Sequence, residues 1–160
     1  MGLDTAQARF DALRARRSGV SPQELDALWA ELPTVRAEEI LGYWLGAGFA
    51  TGHRLNEALR THRWHGKTFH SLTRAQPLVC RDVEGRLFSN VELGKGEASL
   101  WNVEFRGEVT ATMVYDGQPI LDHFKRVDDQ TLLGIMNGTS ELVLDQGEHF
   151  YFLLERDRDA

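Results

Sequence analysis

From residue 40 onward, apolar and polar residues alternate with period two. Between Leu100 and Phe105, the residues Trp101, Val103 and Phe105 alternate against Asn102 and Glu104. Val109, Ala111, Met113 and Tyr115 then alternate against Thr110 and Thr112. Asp116-Gly117 predicts a tight turn, with Gln118-Pro119 opening the next strand. Four more strands are expected over 120–127, 130–136, 141–145 and 149–156, separated by Asp128-Asp129, Asn137-Gly138 and Gln146-Gly147. Shorter strands are expected over 67–70, 77–82 and 86–90, with Glu84-Gly85 turning the last two. Turn signals every eight to twelve residues point to an antiparallel barrel or sandwich.

The first 35 residues read differently. Phe10 and Leu13, with Leu3 or Ala6, share one helical face, and Gly19 ends that helix. Ser21-Pro22-Gln23-Glu24 is a capping box with proline at the first helical position. Leu25, Leu28, Trp29 and Leu32 form the apolar stripe of a second helix, which Pro33 ends. That stripe must cover the wall of the β-structure or a subunit partner, such as a second copy in a homodimer. A further helical stretch over 54–62 carries Leu55, Ala58 and Leu59 on one face. The expected organisation is a helical extension over 1–35 and a β domain over 36–160.

Charge narrows the partners. The formal net charge is −6, from 24 acidic and 18 basic residues, so no basic excess exists to displace counterions from nucleic acid. Cys80 is the single cysteine, which excludes an intrachain disulfide and fits a reducing compartment. No apolar run reaches membrane-spanning length, and the N-terminus lacks a signal-peptide core. A cytoplasmic location is expected.

The densest motif is Gly42-Tyr43-Trp44-Leu45-Gly46-Ala47-Gly48. Glycines flanking Trp44 leave one face of a first strand nearly bare, as the tightly curled end of a small barrel requires. With Thr51-Gly52-His53 and Trp64-His65-Gly66-Lys67-Thr68-Phe69, it resembles the GXWXG family of bacterial proteins. The run from Val103 to Asp116, then Pro119 to Lys125 and Thr131 to Met136, resembles the domain of unknown function that follows it in that family. These resemblances divide the β domain into 36–96 and 97–156, and they bring no activity with them.

The G-x-W at the first strand, with Arg156 late in the chain, also resembles the signature of lipocalin-like barrels. That resemblance implies a mainly β fold, an antiparallel lipocalin-like β-barrel with an N-terminal helical pair. It also implies that Arg156 packs across Trp44, a cation–π contact of about 0.5–2 kcal/mol. The longer G-x-W-x-G-x-G pattern resembles nitrobindin, which would imply haem. Phe49-Ala50-Thr51-Gly52 departs from the expected continuation.

Catalytic signatures are sparse. The histidines are His53, His62, His65, His70, His123 and His149, and none stands in a zinc-binding pattern. His149, at the start of the last strand, is the residue that could serve haem as an axial ligand. There is no nucleophile elbow and no phosphate-cradling glycine loop.

The strand interior carries more information. If Trp101, Val103 and Phe105 face in with Met113 and Tyr115, then Ile120, Asp122, Phe124 and Arg126 share the inward face of the next strand. The other parity would bring in Leu121, His123 and Lys125. An apolar cup with one polar anchor, Asp122 paired with Arg126 or bonded by Tyr115, is the general form of a small-molecule site. The expected function is binding of a hydrophobic small molecule, a fatty acid or other lipid, without a cofactor. The expected ligand-binding residues are Tyr43, Trp101, Val103, Phe105, Met113, Tyr115, Asp122, Phe124 and Arg126, with Gly42, Trp44, Gly46 and Arg156 structural. The alternatives are a haem protein, a small enzyme using Asp122 with Tyr115 or His123, and a helper subunit docking through its N-terminal helices.

Overall fold

The structure, a computed structural model, describes residues 3–160, with side chains from Thr5 onward; the Leu3 side chain lies outside that set. Helices α1 (Leu3–Ala15) and α2 (Pro22–Glu31) lead into strand β1 (Gly42–Gly48), helix α3 (Arg54–Thr61) and strands β2 (Trp64–Ser71), β3 (Arg74–Arg81) and β4 (Leu87–Ser89). A short helix α4 (Val91–Gly94) precedes β5 (Ala98–Phe105), β6 (Glu108–Tyr115), β7 (Ile120–Asp128) and β8 (Thr131–Gly138). Helix α5 (Ser140–Val143) and strand β9 (Phe150–Arg156) complete the chain.

All nine strands form one antiparallel sheet, ordered β2-β1-β9-β8-β7-β6-β5-β3-β4. Pairing of β2 with β3 closes the sheet on itself, so eight strands make a ring and β4 extends β3. Both halves of the β sequence contribute to this one ring, since β1 pairs with β9 and β3 touches β5. Strands β6 and β7 pair only over Thr112–Val114 and Leu121–His123. Beyond that they splay, and the chain after α2 fills the gap. The Ala111 N–H donates to Val35 O at 2.7 Å, and the Arg126 N–H donates to Pro33 O at 3.1 Å.

Two apolar cores result, one on each face of the sheet. The inner core fills the ring with Phe69, Met113, Phe124, Phe150, Phe152 and their neighbours. The outer core lies between the helices and the backs of β8 and β9. There Phe10, Leu25, Leu28 and Trp29 pack on Leu133, Ile135, Tyr151 and Leu153. Burying each such side chain stabilises by about 1.5–3 kcal/mol. The expected capping box starts α2: the Glu24 N–H donates to Ser21 Oγ at 3.1 Å, and the Ser21 N–H donates to Glu24 Oε2 at 3.0 Å. The helices are also tied to the sheet by polar bonds, with Tyr151 OH donating to Asp26 at 2.5 Å and Gln7 Nε2 donating to Val127 O at 3.0 Å.

Two expectations are corrected. Trp101, Val103 and Phe105 do not face the ring interior. Arg106 and Gly107 form a two-residue turn with φ of +53° and +83°, the geometry of the tight hairpin turn that matches strand twist. It sets Phe105 opposite Glu108, hence Leu100 opposite Met113 and Trp101 opposite Thr112. Side chains directly opposite share a face, so Leu100 goes in with Met113. Trp101, 57% exposed, goes out. Residues 141–145, expected as a strand, form α5 and a bridge instead. Gly138 has φ +142° and turns the chain out of β8. A single helical turn then drives Val143 into the inner core at the ring's end.

Candidate functional site

The motif glycines are explained by close approach. A Cβ on Gly46 would overlap the Trp64 indole, and one on Gly48 would overlap Asn56 Oδ1. Gly42, at φ +125°, leaves room for the Arg156 guanidinium, which would stand 2.9 Å from an added Cβ. Trp44 is buried and donates its indole N–H to Ile40 O at 2.9 Å. Arg156 Cζ stands 4.3 Å from its ring centroid and donates to Leu41 O at 2.8 Å and Glu39 O at 3.1 Å. The indole N–H and both terminal guanidinium nitrogens thus donate to carbonyls, and this end of the ring is a plug.

The interior holds the unusual group. Asp122 on β7 is 0% exposed, and neither carboxylate oxygen accepts a hydrogen bond from any described residue. Lys67 on β2 is 3% exposed, with Nζ 3.0 Å from Asp122 Oδ2. That is ion-pair distance, but the alignment is not that of a hydrogen bond. The hydrogen bond of Lys67 goes to Pro77 O at 3.2 Å, an acceptor shared with Trp64 Nε1, also at 3.2 Å. Pro77 has no N–H to give the β2–β3 ladder. The register shifts along this stretch, between Trp64 and Gly66 and, across from Pro77, between Gly66 and Thr68. The Pro77 carbonyl is thereby free to serve side chains of the interior.

Three rings surround the ammonium. Lys67 Nζ lies 5.2 Å from the Phe152 centroid, 5.5 Å from Trp64 and 5.9 Å from Tyr115. Burial pushes the Asp122 carboxyl above its ordinary value, and Lys67 pulls it part of the way back. Burial, then the Asp122 charge, pushes the Tyr115 phenol well up. An ion pair in an apolar core stabilises only when its remaining hydrogen-bonding capacity is met, and here the carboxylate's is not.

The expected site residues divide by face. Met113, Tyr115, Asp122 and Phe124 lie together in the inner core, where Met113 is directly opposite Asp122. Arg126 stays at the rim, paired with Glu39 at 3.0 Å and Asp129 at 3.1 Å, so it is not the partner of Asp122. Lys67 takes that place. Tyr43 is 51% exposed and lines an outer cleft of about 530 Å³ with Leu45, Val79 and Leu87. Val103 is half-buried on the outer side of β5. Phe105 stacks on His123, with centroids 3.9 Å apart, and meets Trp29 edge-on.

His123 therefore belongs to the face opposite Asp122. The Asn137 amide donates to its Nε2 at 3.1 Å, which leaves Nδ1–H to donate to Thr112 Oγ1 at 2.8 Å. Burial and the Arg106 charge push its pKa down to about 4. His149 bonds Met136 O through Nδ1 at 2.8 Å. Cys80 is free and buried.

Nothing in the single sequence singled out Lys67 for the interior, although a signal exists. The chain has 18 basic residues and only Lys67, Lys95 and Lys125 are lysines. Two of the three are buried.

The end of the ring opposite Trp44 is covered by α3 and α5. Leu55 and Leu59 of α3 rest on the inner core, yet α3 has no fully buried residue. His53 joins the two helices: the Leu55 N–H donates to Nδ1 at 3.1 Å, so Nε2–H donates to Val143 O, also at 3.1 Å. Burial pushes the His53 pKa down. Beside α3 a cleft of about 880 Å³ reaches the Trp64 indole.

Geometry thus defines a class: a mainly β protein whose nine-stranded antiparallel sheet closes into a ring around an apolar core holding one lysine–aspartate pair. A family model described as GXWXG protein matches residues 27–85. One described as a domain of unknown function (DUF4334) matches residues 96–156. A crystal structure of a protein from Thermomonospora curvata is similar at 34% identity and a TM-score of 0.85, covering 96% of this chain and 99% of that one. The chain belongs to the GXWXG family, with its trailing domain of unknown function. No curated protein matches it. Among the described residues, no helix is long and apolar enough to cross a membrane.

Proposed function

We propose that this protein is a lipocalin-like barrel that binds a hydrophobic small molecule within its ring of strands, using Asp122 and Lys67 as the polar anchor. The observation that carries this reading is the fully buried Asp122 carboxylate, whose oxygens receive no hydrogen bond from the described residues. A buried acceptor left without donors costs about 1–3 kcal/mol, more when charged. A ligand bearing a hydroxyl, amide or amine group supplies those donors, and its apolar remainder takes contacts with Met113, Phe124 and Phe152. The ligand enters by displacing α3, which touches the core through Leu55 and Leu59. The acidic net charge and the free Cys80 fit a cytoplasmic setting.

The test is displacement of an environment-sensitive apolar dye by long-chain alcohols, amides and fatty acids. Donor-bearing ligands should compete best. Asp122→Asn should weaken them by on the order of 1–3 kcal/mol, and Met113→Asp should abolish dye binding in a folded protein. Unchanged ligand affinity in a folded Asp122→Asn variant would place the site elsewhere.

A further inference from the structure

The cleft beside α3 has a composition that the interior reading does not use. Six arginines line it: Arg14, Arg16 and Arg17 from the end of α1 and the turn after it, and Arg54, Arg60 and Arg63 from α3 and its flanks. Glu57 is the one carboxylate in the lining. The whole chain carries a formal charge of −6, so a third of its 18 basic residues converge on one concavity of an acidic protein.

Only part of that charge is answered. Arg14 pairs with Glu155 at 3.2 Å and Arg16 with Glu24 at 2.5 Å, both acids lying outside the lining. Arg54 and Arg63 are held by main-chain carbonyls, which fix a guanidinium without neutralising it. Arg54 donates to Leu144 O and Glu141 O at 3.0 Å, and Arg63 donates to Asp82 O at 2.9 Å. Arg17 and Arg60 have no ion pair or side-chain hydrogen bond among the described residues. Six arginines thus line a cleft that holds one carboxylate, and two further acids outside the lining answer Arg14 and Arg16. A cleft lined by one sign of charge focuses its field and draws a counter-ion.

We propose that this cleft binds a small molecule bearing a phosphate-ester or diphosphate group. A single carboxylate would leave most of the surplus unmatched, whereas a dianion or trianion answers it. Planar guanidinium groups match phosphate oxygens two at a time. The volume, about 880 Å³, falls in the range of small-molecule sites. The lining also includes apolar side chains, Phe49, Leu59 and the Trp64 indole, which packs against Gly46. They suit the organic part of such a ligand. The acidic surface outside the cleft disfavours an extended polyanion, which selects a small ligand over a nucleic-acid strand. The proposal does not rest on the interior site, although the two share α3 and Trp64.

Isothermal titration of the whole protein with inorganic pyrophosphate, inorganic phosphate and acetate at fixed ionic strength tests it. Pyrophosphate should bind with a Kd below about 1 mM and at least about tenfold more tightly than acetate. The double variant Arg17→Ser/Arg60→Ser removes two exposed side chains without described partners, so its melting temperature should hold while pyrophosphate affinity drops by about tenfold or more. Binding of the apolar dye should not change in it, which separates this site from the ring interior. The proposal is overturned by absence of heat with pyrophosphate, by equal affinity for acetate, by undiminished binding in the double variant, or by a single-stranded oligonucleotide outcompeting pyrophosphate.

Discussion

Two lysines are buried in this protein, one on each face of the sheet, and they are treated differently. Lys125, on β7, is buried between sheet and helices. Its ammonium donates to Trp29 O at 2.9 Å, pairs with Glu108 and lies 5.2 Å from the Trp29 centroid. Glu108 is 46% exposed, so water solvates the far side of that carboxylate. The ammonium has two acceptors and a carboxylate partner open to solvent, and its role is to fasten α2 to the sheet. Lys67 has one carbonyl, three aromatic rings and a carboxylate cut off from water. Both are charges in an apolar layer. Only in the second is the partner carboxylate itself buried with no hydrogen bond from the described residues, and that difference separates a fastening from a candidate site.

The largest expected effect tests the Lys67 side. Lys67→Ala leaves Asp122 buried without its countercharge and should destabilise by about 3–5 kcal/mol in urea unfolding. Lys67→Met combined with Asp122→Leu should recover most of that loss, because an apolar pair needs no donors. If the double variant is as unstable as the single one, the pair is structural and the contrast with Lys125 fails.

A second test uses the saturated face. His123 has its pKa pushed down to about 4 from an ordinary value of 6.5. The folded protein therefore holds fewer protons at this site than the unfolded chain, and stability must fall as pH drops from about 6.5 toward about 4. The expected loss is on the order of 2–3 kcal/mol. His53, lowered by burial, adds in the same direction, because a proton on Nδ1 would face the Leu55 N–H. Urea midpoints measured across this range should slope accordingly, and His123→Gln should flatten the slope.

Lys125→Met should cost less than Lys67→Ala, about 1–2 kcal/mol, since Glu108 can turn to water and only the Trp29 carbonyl loses a donor. Equal losses at the two lysines would erase the distinction. The smallest effect is expected at the plug: Arg156→Gln forfeits a cation–π contact of about 0.5–2 kcal/mol and should leave dye binding unchanged.

How far such sites can be read from sequence is shown by two neighbouring strands. On β7 the parity of Ile120, Asp122 and Phe124 matches the inner face, while Arg126, expected with them, stays at the rim. Ile120 and Phe124 are strongly apolar, Asp122 lies between them, and all three are buried. On β5 parity misled, because Trp101, Val103 and Phe105 are the larger residues of an alternating run, while Leu100 and Ala98 occupy the interior. The side that a strand turns inward is set by its partner's register. Here that register depended on a two-residue turn at Arg106-Gly107 whose left-handed geometry the apolar pattern does not reveal. Phe105 is apolar for another reason: it meets Trp29 across the outer core.

The amino-acid sequence by itself determined what local chemistry controls. The capping box starts α2, the turn residues separate most of the strands, and Gly42 and Trp44 mark the end that the late arginine plugs. Those features depend on residues a few positions apart, or on close approaches that leave a glycine as their trace, as Arg156 does at Gly42. Only the tertiary structure decided the partner of Asp122, the face of β5, and the convergence of arginines from α1 and α3. Lys67 meets Asp122 because β2 and β7 face each other across the closed ring. The arginines meet because α1 ends where β1 gives way to α3. Such meetings join residues dozens of positions apart through the closure of the sheet, and no pattern along a single strand or helix encodes them.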